Sequence, residues 1–193
     1  MNQELRITFT GRTPLLCHNE RLANPDDPIA REIAAITSKQ KKTEDDRKAV
    51  FRLEWFGGLY TAPDISGPVA PTKNLRKCLI DAAKTLKLGT AVTRALNFTT
   101  LNVPIAYDGP RDLDALYATD AFTNISMVRV RGRVPRCRPM FPQWVIVADA
   151  VLLADILDLD VFRRIGDLAG MAEGLGDNRK NGYGRFDVGI AKR

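Results

Sequence analysis

The apolar residues of this chain change period as the sequence advances, and the order of those changes limits the folds open to it. Residues 4–10 (Glu-Leu-Arg-Ile-Thr-Phe-Thr) alternate, so Leu5, Ile7 and Phe9 share one face of a strand. Helical spacing follows over 26–56. Asp26, Asp27 and Pro28 make a helix start, and Ile29, Ile33 and Ile36 recur behind it. After the polar run Thr37 to Lys48 the apolar pattern resumes at Val50, Leu53, Trp55 and Phe56, which predicts a helical hairpin closed by Gly57-Gly58. Gly67 to Pro71 reads as a rigid approach to another helix. Thr72 is its expected cap, Leu75, Leu79, Ala82 and Leu86 form its apolar stripe, and Gly89 is its expected stop. A strand within 98–105 and a short helix over 112–117 come next.

Residues 126–135 alternate again and predict a strand, with Val128, Val130 and Val134 on the buried side and Arg129, Arg131 and Arg133 on the other. Pro135, Pro139 and Pro142 are expected to break the connection that follows. Trp144 to Leu153 is an almost wholly apolar strand. Val161, Ile165, Leu168 and Ala169 mark a final helix starting near Asp160, and Arg185 to Ile190 a last strand. Stripped of its insertions this order is βαββαβ, an α+β ferredoxin-like arrangement. Helices cover one face of such a sheet, and the other can stay open, as in RNA-recognition modules. At 193 residues the chain is expected to form one domain.

Two segments carry the chemistry. Arg129, Arg131, Arg133, Arg136 and Arg138 fall within ten residues, and no acid lies between Ser126 and Ala148. Alternate residues on one strand face stand roughly 6.6 Å apart, a spacing that suits successive phosphates, and the guanidinium fork matches phosphate oxygens. The alternative is a solvated strand face. The second segment is Gly174-Leu-Gly-Asp-Asn-Arg-Lys-Asn-Gly-Tyr-Gly-Arg185, where Arg179, Lys180 and Arg185 bring charge, Tyr183 a ring for stacking, and glycines such as Gly182 close backbone approach. It lacks the Gly-Lys-Ser/Thr ending of a nucleotide-binding P-loop. The helix over 72–86 adds Lys73, Arg76 and Lys77 on its polar faces. A net charge of +6 agrees with a polyanionic partner.

The run Tyr183-Gly-Arg-Phe-Asp-Val188 behind its glycine-rich loop resembles the C-terminal loop of the RAMP superfamily, ferredoxin-like proteins related to the RNA-binding backbone subunits of CRISPR effector complexes. Gly67-Pro-Val-Ala-Pro-Thr-Lys-Asn-Leu-Arg-Lys-Cys-Leu-Ile-Asp-Ala-Ala83 resembles that family's Pro-Gly-Ser-Ser-Leu-Lys-Gly helix start, with Ala70-Pro71-Thr72 in place of Pro-Gly-Ser and Lys77 in place of the glycine. The two matches cover about thirty residues. The resemblance implies that 19–66 is a helical insertion behind the first strand, that the partner is single-stranded RNA or DNA, and that the chain multimerises along the strand or joins a CRISPR-type complex. The whole chain is also similar to small proteins of tailed phages that begin with a comparable Pro-Leu-Leu-x-His-Asn stretch.

His18 is the only histidine, and some RAMP proteins cleave RNA with a histidine close behind the first strand. The sequence shows no partner groups for it. Binding without catalysis is therefore the first expectation, metal-independent RNA cleavage by His18 the second, and a protein-interaction role the third. No cofactor or metal is expected. Cys17, Cys78 and Cys137 are odd in number and lack metal-ligand spacing, so they read as reduced core thiols. Trp55 and Trp144 read as core anchors, whereas Phe141 is left open between packing and base stacking. With no signal peptide and no long apolar run, a cytoplasmic protein without membrane association is expected.

Overall fold

A computed structural model of the chain describes residues 2–129 and 132–193. Its scaffold begins with β1 (Asn2–Gly11), where Leu5, Ile7 and Phe9 are fully buried. β1 lies between β10 (Phe186–Lys192) and β9 (Val145–Leu153), antiparallel to both. On the far side of β9 come β5 (Leu96–Phe98) and β6 (Asn102–Ala106). They pair with its two ends and act as one strand interrupted at 99–101. β4 (Ile65–Pro71) and β3 (Thr61–Ala62) extend the sheet to give the order β10-β1-β9-β6-β4-β3. Within it β10-β1-β9-β6 is the fourth, first, third and second strand of a ferredoxin-like α+β core. The helices of that core are α3 (Thr72–Thr85) and α6 (Leu159–Leu168), which cover one face with Leu75, Leu79, Ala82, Phe162 and Ile165.

The helical hairpin is present as α1 (Pro28–Thr37) and α2 (Glu44–Gly58). Both helices are capped by side chains at their N-termini. Asp27 accepts from the Ile29 amide, and Thr43 with Asp46 closes a capping box, the Thr43 hydroxyl accepting from the Asp46 amide. The approach to α3 is the strand β4 rather than a loop. Thr72 is the first helical residue, not its cap. Its hydroxyl donates to the Thr100 carbonyl at 2.6 Å, tying α3 to the interruption between β5 and β6. Leu86 is exposed, and Gly89 opens a further short helix, α4 (Gly89–Ala95), instead of ending the chain's helical run.

The largest departure concerns the arginine segment. It is a hairpin: β7 (Thr123–Arg129) pairs antiparallel with β8 (Arg133–Phe141), and β2 (Leu15–Leu16) joins the far edge of β8 in a separate three-stranded sheet. Val128 faces Val134 and Arg129 faces Arg133 across the ladder, so Arg129 and Arg133 do not follow one another along one strand face. Val134 is exposed and Val128 half-buried, and neither supports a core. Val130 and Arg131 lie outside the described residues, as does the side chain of Arg129. The second core strand is instead the β5–β6 pair. The prolines do not break β8, because Pro135, Cys137 and Pro139 present their nitrogen side away from β7. Along that outer side the Cys137 amide donates to Glu54 of α2 and the Pro139 carbonyl accepts from Cys17. A proline there costs no bond to β7.

Behind the hairpin lies a buried aromatic group. The Trp55 indole donates to the Phe122 carbonyl at 2.9 Å, and Tyr107, Phe122 and Phe141 pack together. Phe141 has no exposed surface, so the stacking alternative for it is closed. Trp55 and Trp144 are core residues.

Candidate nucleic-acid interface

The glycine-rich loop, residues 174–185, is fastened to the segment that follows β1. The Asp177 amide donates to the Leu16 carbonyl, the Gly184 amide to Pro14, and the Arg185 amide to the Thr13 hydroxyl, each at 2.8 Å. The Thr13 hydroxyl in turn donates to the Gly182 carbonyl, and the Leu175 amide to Gly184. Gly174, Gly176, Gly182 and Gly184 all have positive φ. At Gly184 a Cβ would stand 1.8 Å from the Leu175 carbonyl oxygen, and at Gly176 2.2 Å from that of Leu16, whereas at Gly182 it would meet nothing within 4 Å. Three glycines therefore close the loop upon itself and its neighbour, and only Gly182 faces open space. The amides of Leu175, Asp177, Asn181, Gly182, Gly184 and Arg185 are all occupied within the protein.

This fastening brings together three segments that are distant in sequence. Residues 14–19, the start of α3, and the glycine-rich loop border one pocket of about 230 Å³. Its walls include Leu15, Val69, Leu75, Ile105 and Ile146. Its polar groups are His18, Tyr60, Asn74, Lys77, Asp177 and Arg179. Of these, His18, Lys77 and Arg179 stand out in the sequence. Tyr60, Asn74 and Asp177 do not. Tyr60 carries no local signal, because it reaches the pocket only through the pairing of the β3–β4 edge.

His18 stands exposed on one side. Enclosure of the rest of its ring pulls its pKa below the ordinary value, the nearby Asp177 carboxylate opposing and Arg138 and Arg136 adding to the shift. Its imidazole is thus neutral at neutral pH, with one nitrogen to donate and one to accept. Burial raises the Tyr60 phenol, whose hydroxyl donates to the His18 carbonyl at 3.3 Å. Cys17 and Cys78 line the same pocket, but burial pushes both thiols to about 12, and Cys137 likewise. These are inert thiols rather than nucleophiles. Among the described residues no three His, Cys, Asp or Glu side chains are grouped to hold a metal ion.

The remaining cations sort by their partners. Arg136 pairs with Glu54, whose side chain is 3% exposed, and Arg138 is 2.6 Å from Asp177, off the line of a hydrogen bond, while donating to the Ser126 hydroxyl. Arg76 donates to the Leu96 and Thr93 carbonyls at the end of α4, and Arg185 to the Arg179 carbonyl. These four are engaged in holding the fold. The acids absent from the arginine segment are supplied by α2 and the glycine-rich loop. Lys73 pairs with Glu20, Lys77 with Asp81, and Arg179 with Glu173 at 4.0 Å, all with half-exposed or more open cations. Such surface pairs contribute about 1 kcal/mol or less and can be exchanged for a phosphate. Arg133 and Lys180 are exposed, and Tyr183 is half-exposed.

Among the described residues, the open face of the sheet offers no stacking platform. Arg6, Thr8 and Thr10 stand beside Val147 and Asp149 on β9 and Gly189 and Ala191 on β10, without an aromatic ring. Arg6 and Arg193 both bind Asp149 there. Recognition by two or three stacked bases on the sheet, as in RNA-recognition modules, is not available to this surface.

No protein-family model matches the chain, and no curated protein matches it in sequence. Its fold does have solved relatives. A chain in the cryo-EM structure of the Type III-B Cmr-beta bound to cognate target RNA superposes with a TM-score of 0.50 at 12% identity. The match takes in 99% of this chain and 61% of that one, so this protein spans about three fifths of the neighbour's length. At that identity the likeness is one of fold. Among the described residues no helix is long and apolar enough to cross a membrane.

Proposed function

We propose that this protein binds single-stranded nucleic acid, RNA before DNA, along the surface that runs from the β7–β8 hairpin to the pocket beneath the glycine-rich loop, as a RAMP-type subunit. The observation that carries the reading is the convergence of residues 14–19, the start of α3 and the glycine-rich loop on one pocket bordered by Lys77 and Arg179. Two features support it. Arg133 and Lys180 stand exposed along this surface as cations for which no acidic partner is needed by the fold. The fold neighbour belongs to a complex bound to RNA. Phosphate contacts by Arg133, Lys180 and the exchangeable pairs would position the strand without reading its sequence.

The test is fluorescence anisotropy with labelled mixed-sequence RNA, single-stranded DNA and duplex. Tighter binding of single strands, weakening steeply with salt, is expected. No binding of any strand at low salt overturns the proposal. The structure gives His18 neighbours that the sequence did not show, namely Lys77, Tyr60 and Asp177 in one pocket, so cleavage is tested alongside. Labelled RNA incubated in chelator should stay intact. Cleavage abolished by His18→Ala would establish a metal-independent ribonuclease instead.

A further inference from the structure

We propose that the pocket beneath the glycine-rich loop holds one unstacked nucleobase of the bound strand and favours bases that carry an exocyclic amino group. This deepens the nucleic-acid reading and rests on it. At about 230 Å³ the pocket is smaller than the roughly 300–1,000 Å³ of sites for drug-sized ligands, which leaves room for one ring system with its sugar at the mouth.

Its floor is apolar and belongs to the sheet. Ile105 and Ile146 lie side by side across the β6–β9 ladder, with Val69 of β4 beside them. All three are at most 1% exposed, so the pocket descends to the core. One wall is the backbone of Gly174-Leu175-Gly176, two of whose three residues put no side chain in the way. A flat ring can lie on such an apolar floor beside the glycine wall, as extruded bases lie against apolar groups.

The polar groups argue against an anion inside and for a base. Asp177 borders the pocket, and its charge is balanced by Arg138, whose side chain is 11% exposed. A phosphate beside that carboxylate would be repelled. Lys77 and Arg179 stand at the rim in solvent-exposed surface pairs, where a phosphate joined to the inserted nucleoside can reach them. Inside, the Asp177 carboxylate accepts, the Asn74 amide both donates and accepts, and the neutral His18 ring can do either. Adenine, cytosine and guanine offer an amino donor to such a set. Uracil has only its ring N3–H as a donor on this edge, between two carbonyl oxygens, so a carboxylate that reaches the exocyclic position meets an acceptor there.

Equilibrium dialysis of the whole chain against AMP, CMP, GMP and UMP tests this directly. Amino-bearing nucleotides should bind about tenfold or more tightly than UMP, the discrimination expected of a well-placed polar pair. Asn74→Leu, which keeps a good helix former in α3 while filling the pocket, should remove that preference. Lys77→Gln should weaken AMP but leave adenosine unchanged, because only the phosphate loses a partner. Competition of adenosine with a labelled strand on the unaltered protein gives a readout that needs no variant to fold, and displacement is expected. If single strands bind while no mononucleotide binds and adenosine does not compete, the base pocket is overturned and the nucleic-acid reading survives. If mononucleotides bind with the stated preference but strands do not, the pocket is a nucleotide site and the strand-binding function falls. Equal affinity for all four mononucleotides overturns the amino-group selection.

Discussion

Two residues show how the fold is held where the candidate site begins. Glu54 is a buried carboxylate on α2 that accepts the Cys137 amide at 2.8 Å and pairs with Arg136. Arg136 keeps 39% of its side-chain surface, so losing its partner leaves it hydrated; the Cys137 amide has no such recourse. Glu54→Ala should therefore cost about 2 kcal/mol, chiefly from that orphaned donor. Glu54→Gln, which keeps an acceptor, should cost less than half of this. Urea unfolding followed by circular dichroism checks both, and equal losses would locate the stabilisation in the ion pair instead. The glycines divide in the same way. Gly184→Ala drives a Cβ into the Leu175 carbonyl and should prevent stable folding, so a loss of binding there would report misfolding. Gly182→Ala meets no neighbour and should cost about 1–2 kcal/mol from its positive φ alone, with the fold intact. A Gly184→Ala protein that melts like the unaltered one would contradict the packing of the loop.

At the scale of elements, the hairpin is where sequence and structure part. Leu5, Ile7 and Phe9, the α1–α2 hairpin, the stripe on α3 and the apolar run of β9 were legible because each element's own periodicity decides which residues it buries. The β7–β8 turn was not, because alternation continues through a hairpin: Val128 and Val134 keep the parity of a single strand although the chain reverses between them. Pro135 and Pro139 misled for a related reason, since a proline on the outer side of a strand costs no bond to its partner. The pocket was legible only in pieces. His18, Lys77 and the glycine-rich loop stood out one by one, but their meeting depends on the Thr13 to Leu16 staples, which are long-range hydrogen bonds with no sequence period. Removing Arg129, Arg131 and Arg133 together by alanine should still leave the fold intact, because the described positions Arg133 and Val134 are exposed and support no core. In the strand-binding reading, three phosphate contacts at about 0.7 each give a fall of roughly 2 in the salt slope for single strands. A salt titration of triple mutant against unaltered protein measures it. An unaltered slope in a folded mutant would place the hairpin away from the strand's path.

The whole molecule has one histidine, so its behaviour between mild acidity and neutrality reports on the pocket. His18 has a folded pKa below the ordinary 6.5, and the unfolded chain keeps the ordinary value. Above 6.5 neither state is protonated and His18 contributes nothing to the pH dependence of stability. As pH falls through 6.5 the unfolded chain takes up a proton that the folded one refuses, so stability declines. The decline stops once pH drops below the folded pKa, where both states are protonated. The carboxylates with shifted pKa act elsewhere on the scale. Asp46, held to about 2 first by Lys39 and then by the Thr43 amide, adds stability that is lost only as pH falls below 3.8. Asp27, Asp81 and Asp149 are lowered in the same direction by their own cations. The two windows are therefore separate. Urea unfolding as a function of pH should show a shallow loss beginning near 6.5 in the unaltered protein and none there in His18→Asn. Identical profiles would mean that the ring is as hydrated in the folded state as in the unfolded one. A base seated against the neutral ring extends the same reasoning to binding. Affinity for adenosine, which has no phosphate to titrate in this range, should be level above 6.5 and fall as the imidazole is protonated, and that onset should move to lower pH with ligand bound if the base encloses His18 further.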